Sequence, residues 1–120
     1  MPKRPWNRVN LPVYSISSKD GKGNFNMHII TYANQISMTP KRFVCGIYEG
    51  TKTLENVVGH KEFVLQLLSE KQYRLVDLLG KKSGHQFNKI ERLEKRKLIT
   101  EWNGFPVLKD ALAVMLLNSI

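Results

Sequence analysis

Cysteine is almost absent from this sequence: Cys45 stands alone among 120 residues. A single thiol excludes an internal disulfide framework and any cysteine-cluster zinc or iron–sulfur site. Long hydrophobic runs are missing too. The longest, residues 111–117, is far below the roughly 20 residues needed to span a bilayer, so no membrane partner is expected. The basic residues 1–8 have no apolar stretch behind them, so no secretory signal is visible and the expected compartment is the cytoplasm. Histidine is sparse: His28, His60 and His85 are far apart, without His-x-His or His-Glu-x-x-His spacing, and no metal site is expected. No Ser, His and Asp grouping supports nucleophilic hydrolysis. Acidic residues are scarce, ten against nineteen Lys and Arg, and the resulting charge of +9 asks for an anionic partner.

What is present is an ordinary globular composition, 42% apolar over a length typical of one domain. No internal repeat, low-complexity tract or linker divides residues 1–120, so a single domain is expected. Residues 11–18 read as a strand with Leu11, Val13 and Ile16 buried, closed by the turn signals Asp20-Gly21 and Gly23. Residues 25–37 mix apolar and small polar side chains without a clean period. After Thr39-Pro40, residues 42–48 form a compact apolar strand that holds Cys45 as an inert core residue. Thr51 or Thr53 caps a short helix carrying Leu54, Val57 and Val58, which Gly59 ends.

Residues 62–68 read as a fully buried strand, 73–79 as a second helix and 81–88 as a polar loop. Leu93, Leu98, Ile99 and Trp102 are scattered apolar points before the Asn103-Gly104 turn, and 111–117 reads as a last buried strand. Five or six strands with short helices between them predict a mainly β fold, a small barrel with added helices.

The Gly21-Lys22-Gly23-Asn24 run lacks the Gly-Lys-Thr/Ser ending of a phosphate loop and reads as a hairpin turn. Residues 81–97 carry seven Lys or Arg, enough to attract nucleic acid by counterion release, but few aromatic side chains for base stacking. A solvated basic face is the plainer reading. The strongest chemical feature is Gly50-Thr51-Lys52-Thr53, which opens a helix directly after a strand. Two hydroxyls, one ammonium and free helix N-terminal amides suit a phosphate monoester. Upstream, residues 31–37 offer amide donors and acceptors with a small residue for close backbone approach, as a flat heterocycle needs.

In this order, the pieces resemble the flavin reductase-like family of the FMN-binding split barrel. The resemblance rests on Asp20-Gly21 with Asn26, then Tyr32-Ala33-Asn34-Gln35-Ile36-Ser37 with Pro40, then Tyr48-Glu49-Gly50-Thr51-Lys52-Thr53. It continues through the strand at 62–68, through Lys82-Ser83-Gly84 with Asn88-Lys89, and through Gly104-Phe105-Pro106-Val107-Leu108 before Ala111 and Ala113. It implies a Greek-key split barrel that binds FMN, with FAD second to it. Thr31, Lys52 and Thr53 would then hold the phosphate, beside Thr51, while Tyr32, Ala33, Asn34, Gln35 and Ser37 would hold the ribityl chain and ring. Ser83, Gly84 and His85 would border a nicotinamide site. A homodimer with flavin near the subunit interface is implied as well.

Two departures stand out. Asn88-Lys89-Ile90 replaces the family's usual Asp-Lys-Phe run. The family domain also usually continues beyond the strand matching 111–117, with further strands and a Gly-Asp-His run. The expectation is a shortened relative that completes its barrel by dimerising, or one that binds flavin without reducing it efficiently.

Three functions follow. The first is an FMN-dependent oxidoreductase taking hydride from NADH or NADPH, in which the flavin does the chemistry and no side chain need be catalytic. The second is an electron-transfer flavoprotein serving a redox partner protein without a nicotinamide site. The third and weakest is a basic nucleic-acid-binding barrel.

Overall fold

Asp20 organises the first hairpin. Its Oδ1 accepts from the backbone N–H groups of Lys22 at 2.8 Å and Asn24 at 2.9 Å, while Gly23 takes a φ of 86°. The turn folds Tyr14–Lys19 (β1) back on Phe25–Ile30 (β2), with Tyr14 opposite Ile30 and Lys19 opposite Phe25. The glycine-rich run is thus a hairpin turn, as its composition indicates. The computed structural model describes residues 12–75, 79 and 89–120. The expected loop at 81–88, with Ser83, Gly84 and His85, lies outside these.

The mixed segment 25–37 resolves into two strands that enter different sheets. β2 stops at Ile30, the chain turns through Thr31 and Tyr32, and Ala33–Met38 (β3) pairs with Lys41–Cys45 (β4). A register shift between Gln35 and Ser37 explains the broken alternation in the sequence. The strand expected at 42–48 ends at Cys45, because Gly46 to Tyr48 leave the ladder.

Glu62–Leu67 (β5) pairs with β1 on one side and with Ala113–Asn118 (β8) on the other, giving the antiparallel order β2-β1-β5-β8. Both central strands are covered on both faces, which is why β5 is a continuous apolar run apart from Gln66. Ile16, Ile30, Phe63 and Leu65 pack with Val57 of the helix Lys52–Gly59 (α1) and with Ala33, Phe43 and Cys45 of the β3–β4 ribbon. On the other side lie a ribbon of Ile99–Trp102 (β6) and Phe105–Leu108 (β7), and a short helix, Lys89–Lys95 (α2). Phe105 and Val107 meet Val64 there, and Ile90 and Leu93 meet Met27, Leu75 and Leu79. Asn103 and Gly104, with φ of 51° and 81°, form the two-residue turn joining β6 to β7.

Several expectations need correction. The chain has eight strands among its described residues rather than five or six. Of the helix expected at 73–79, residues 73–75 close a 3-10 helix over Glu70–Leu75, and residues 76–78 lie outside the described residues. Leu75 and Leu79 are buried in one core cluster, as two of the apolar positions expected on that segment's inner side. The scattered apolar points at 89–98 include α2, too short and too charged to show a helical period. It is closed by Lys97 at a φ of 57° and by Leu98 N–H donating to the Leu93 carbonyl at 3.1 Å. The last strand is not buried: β8 is the outer strand of its sheet, and Leu112 and Leu116 are 69% and 41% exposed.

Candidate functional site

The corner between β2 and β3, together with the segment that leads into α1, builds a cavity of about 390 Å³. Val13, Ile29 and Ile30 supply apolar wall, and Thr31, Tyr32, Tyr48, Thr51 and His28 supply polar atoms. Gly46 completes it. Its N–H donates to the Tyr32 carbonyl at 2.7 Å, and a Cβ built on Gly46 would stand 3.1 Å from the Tyr32 Cβ. Only a residue without a side chain lets the two backbones approach this closely without a shift.

Thr51 is the N-cap of α1. Its Oγ1 accepts from Leu54 N–H at 3.2 Å and donates to the Tyr48 carbonyl at 2.8 Å, locking the strand-to-helix connection. Tyr32 and Tyr48 pack edge to face with ring centroids 6.4 Å apart. Hydrogen bonding with Tyr32 raises the pKa of the Tyr48 phenol, which therefore stays neutral across the physiological range. The cavity thus combines an apolar wall, two phenols, two threonine hydroxyls and a helix N-terminus. That set can pack against a flat ring and meet an anion at one end.

The expected site residues separate into three groups. Thr31, Tyr32 and Thr51 line the cavity. Ala33 belongs to the core cluster against Ile16 and Leu65, while Asn34 and Gln35 are exposed on β3. Gln35 Nε2 donates to the Ser37 carbonyl at 3.3 Å, which steadies the irregular part of that strand. Lys52 sits beside the cavity's helix end rather than in its wall, with Nζ 3.4 Å from Glu55 Oε1 and 3.8 Å from Asp20 Oδ2. Thr53 is fully buried and accepts from Asn26 Nδ2 at 3.1 Å, a bond that ties α1 to β2. That bond packs the two elements together.

Asp20 is held ionised. The N–H groups of Asn24 and Lys22 pull its pKa below the ordinary carboxylate range, with Lys52 adding to this. Cys45 is half-buried with its pKa pushed up by burial, as an inert thiol should be. Among the described residues no group of His, Cys, Asp and Glu could hold a metal ion. No helix of the described residues is long and apolar enough to cross a membrane.

His28 and Gly46 are cavity residues that sequence reasoning did not single out. Gly46 carried a signal, being an isolated glycine inside an apolar strand pattern. His28 carried none, because its place depends on β2 being an outer strand. The basic run 81–97 is not a uniform solvated face: Lys95, Arg96 and Lys97 are exposed, but Lys89 is buried, with 2% of its surface accessible.

The chain belongs to the flavin reductase-like domain family, whose profile matches residues 6–116. Its fold is that of the FMN-binding split barrel, mainly β with two short helices among the described residues. An FMN-binding protein from Thermus thermophilus with bound 1-cyclohex-2-enone superposes with a TM-score of 0.81 at 18% identity. That match covers 98% of this chain and 64% of the other, so the chain spans less than two thirds of that relative's length. The flavin reductase PheA2 in its native state matches with a TM-score of 0.73 at 22% identity, over 97% of this chain and 72% of the other. Flavoredoxin of Desulfovibrio vulgaris (Miyazaki F) matches with a TM-score of 0.73 at 16% identity, over 97% and 76%. No curated protein matches the chain.

Proposed function

We propose that this protein binds FMN in the β2–β3 corner cavity and passes hydride or electrons from NADH or NADPH through it. One observation carries the reading. The cavity brings Thr31, Tyr32 and Thr51, from separate parts of the flavin-like pattern, to one place at the start of α1. The residues fit the cofactor. Tyr32, Tyr48 and the Ile29–Ile30 wall suit the ring, while Thr31, Thr51, the α1 N-terminus and Lys52 suit the phosphate end. Bound flavin supplies the two-electron chemistry; the chain's own groups bind it, orient it and set its electrostatic surroundings. Ser83, Gly84 and His85 are assigned to the nicotinamide side of the site, and residues 1–120 to one domain. FAD is the second choice of flavin.

The test is NADH and NADPH oxidation by the purified protein with FMN and oxygen. Oxidation that requires both protein and FMN supports the reductase. Flavin binding without nicotinamide oxidation would instead favour an electron carrier for a redox partner protein, the reading that the likeness to flavoredoxin supports. Nucleic acid is the weakest partner, since one of the seven cations in the basic run is buried.

A homodimer in the cytoplasm completes the proposal. Outer strand β8 leaves Leu112, Leu116 and Ile120 exposed, and Tyr32, Ile36, Met38 and Val44 are exposed around β3 and β4. An uncovered strand edge with apolar neighbours invites pairing. Light scattering should give about twice the chain mass of 13.9 kDa. A monomer at micromolar concentration, with flavin bound, would remove the interface from the account.

A further inference from the structure

Lys89 heads the largest fully buried side chains of the described residues, yet its sequence neighbours are mostly charged and polar. Its Nζ donates to the Leu79 carbonyl at 2.9 Å and stands 3.4 Å from Nδ1 of His28. His28 lies on β2, an outer strand of its sheet, where it pairs with Ile16 of β1 and lines the cavity. A lysine from α2 therefore reaches, past the edge of β2, the one histidine among the described residues of the cavity wall. Among the described residues no carboxylate pairs with this ammonium.

An ammonium has three N–H donors and no lone pair, so the ring nitrogen that faces it must be the bare acceptor. The other nitrogen then carries the single proton of a neutral imidazole. We propose that Lys89 is a positioning residue of the flavin cavity, holding His28 as the Nε2–H tautomer so that the wall offers a hydrogen-bond donor, backed by a buried cation, to an electron-rich edge of the ring. This rests on the flavin reading above. Two features reinforce the geometry. Burial and the charge of Lys89 both keep the His28 pKa below its ordinary value, so the ring is neutral near pH 7. Burial also lowers the Lys89 pKa, to about 8, leaving it mostly charged there.

The arrangement has a functional consequence. Reduced flavin carries more negative charge than oxidised flavin, so a donor and a cation beside it favour the reduced form. Leu79 is the competitor: its carbonyl also acts on the His28 ring and pulls its pKa upward. Were Nδ1–H bonded to Leu79, the opposite tautomer would result.

Histidine-labelled protein without flavin tests the first half, through long-range proton–nitrogen spectra at neutral pH. A bare Nδ1 and a protonated Nε2 on His28 are expected, and an Nδ1–H ring would overturn the proposal with no variant needed. Lys89→Met should mix the tautomers and raise the His28 pKa, since Lys89 is the only charged described residue acting on it. In FMN-loaded protein the same change should lower the preference for reduced over oxidised flavin about tenfold, a fall of about 30 mV for a two-electron couple. An unchanged potential in folded, loaded Lys89→Met would overturn the positioning role. Failure of wild-type protein to bind FMN would sink the functional reading, while the flavin-free spectra still decide between Lys89 and Leu79.

Discussion

Lys52→Ala is expected to weaken FMN about tenfold to over a hundredfold while leaving riboflavin nearly unchanged. A charge-assisted contact to phosphate contributes roughly 1.5–3 kcal/mol, which sets that range. The surroundings add to the loss. Asp20 is held ionised by backbone N–H groups and lies 3.8 Å from Lys52 Nζ, with Glu55 at 3.4 Å. Without the ammonium, a phosphate arriving at the start of α1 keeps its hydroxyl and amide partners but faces the Asp20 carboxylate with no Lys52 charge between them. Riboflavin has no phosphate and is indifferent to that change. Isothermal titration with both ligands reads the difference, and equal losses would place Lys52 away from the phosphate. Thr51 should be left intact in the comparison, because its cap fixes the helix that presents the site.

Leu65→Ala is expected to destabilise the fold by about 2–5 kcal/mol, the range for emptying a buried leucine site. Leu65 has no exposed surface, lies opposite Ile16 on β1 and Met115 on β8, and packs in the cluster with Val57 of α1. Ala33 and Phe43 of the β3–β4 ribbon lean on that same cluster. The substitution therefore opens a hole in the layer that sets the ribbon and α1 against the sheet. Denaturant unfolding should register the loss, and any flavin bound by the folded fraction should be held more weakly. A change below about 1 kcal/mol would mean that the layer collapses to refill the space.

Local chemistry was legible in the sequence wherever one short segment decides the outcome. Asp20-Gly21-Lys22-Gly23 gave the hairpin, Thr51 the helix cap and Asn103-Gly104 the β6–β7 turn, because each needs only its own residues and an allowed φ. The candidate cavity was partly legible for the same reason: Thr31, Tyr32 and Thr51, which line it, fall in marked local patterns. Long-range features were not. Ser15 and Ser17 look like the solvent side of β1, yet both are fully buried, because the β6–β7 ribbon covers that face from ninety residues further along. Gln66 interrupts a buried strand because its Oε1 accepts from Leu108 N–H at 2.7 Å, a bond across 42 positions. Lys89 reads as one more cation in a basic run; only the tertiary fold shows it beside His28. Residues 111–117 read as buried because they are apolar, and apolarity cannot tell a core strand from an outer strand.

The central claim, a flavin site in the β2–β3 corner, is tested most directly by what the purified protein carries after saturation with FMN and removal of excess. Heat denaturation releases the ligand, and its mass and amount per chain are then measured. The expected result is FMN at one per chain, with Gly46→Val, which crowds Tyr32 in the cavity wall, retaining the fold but losing the flavin. Release of no flavin from folded wild-type protein, or full retention by folded Gly46→Val, would contradict the site.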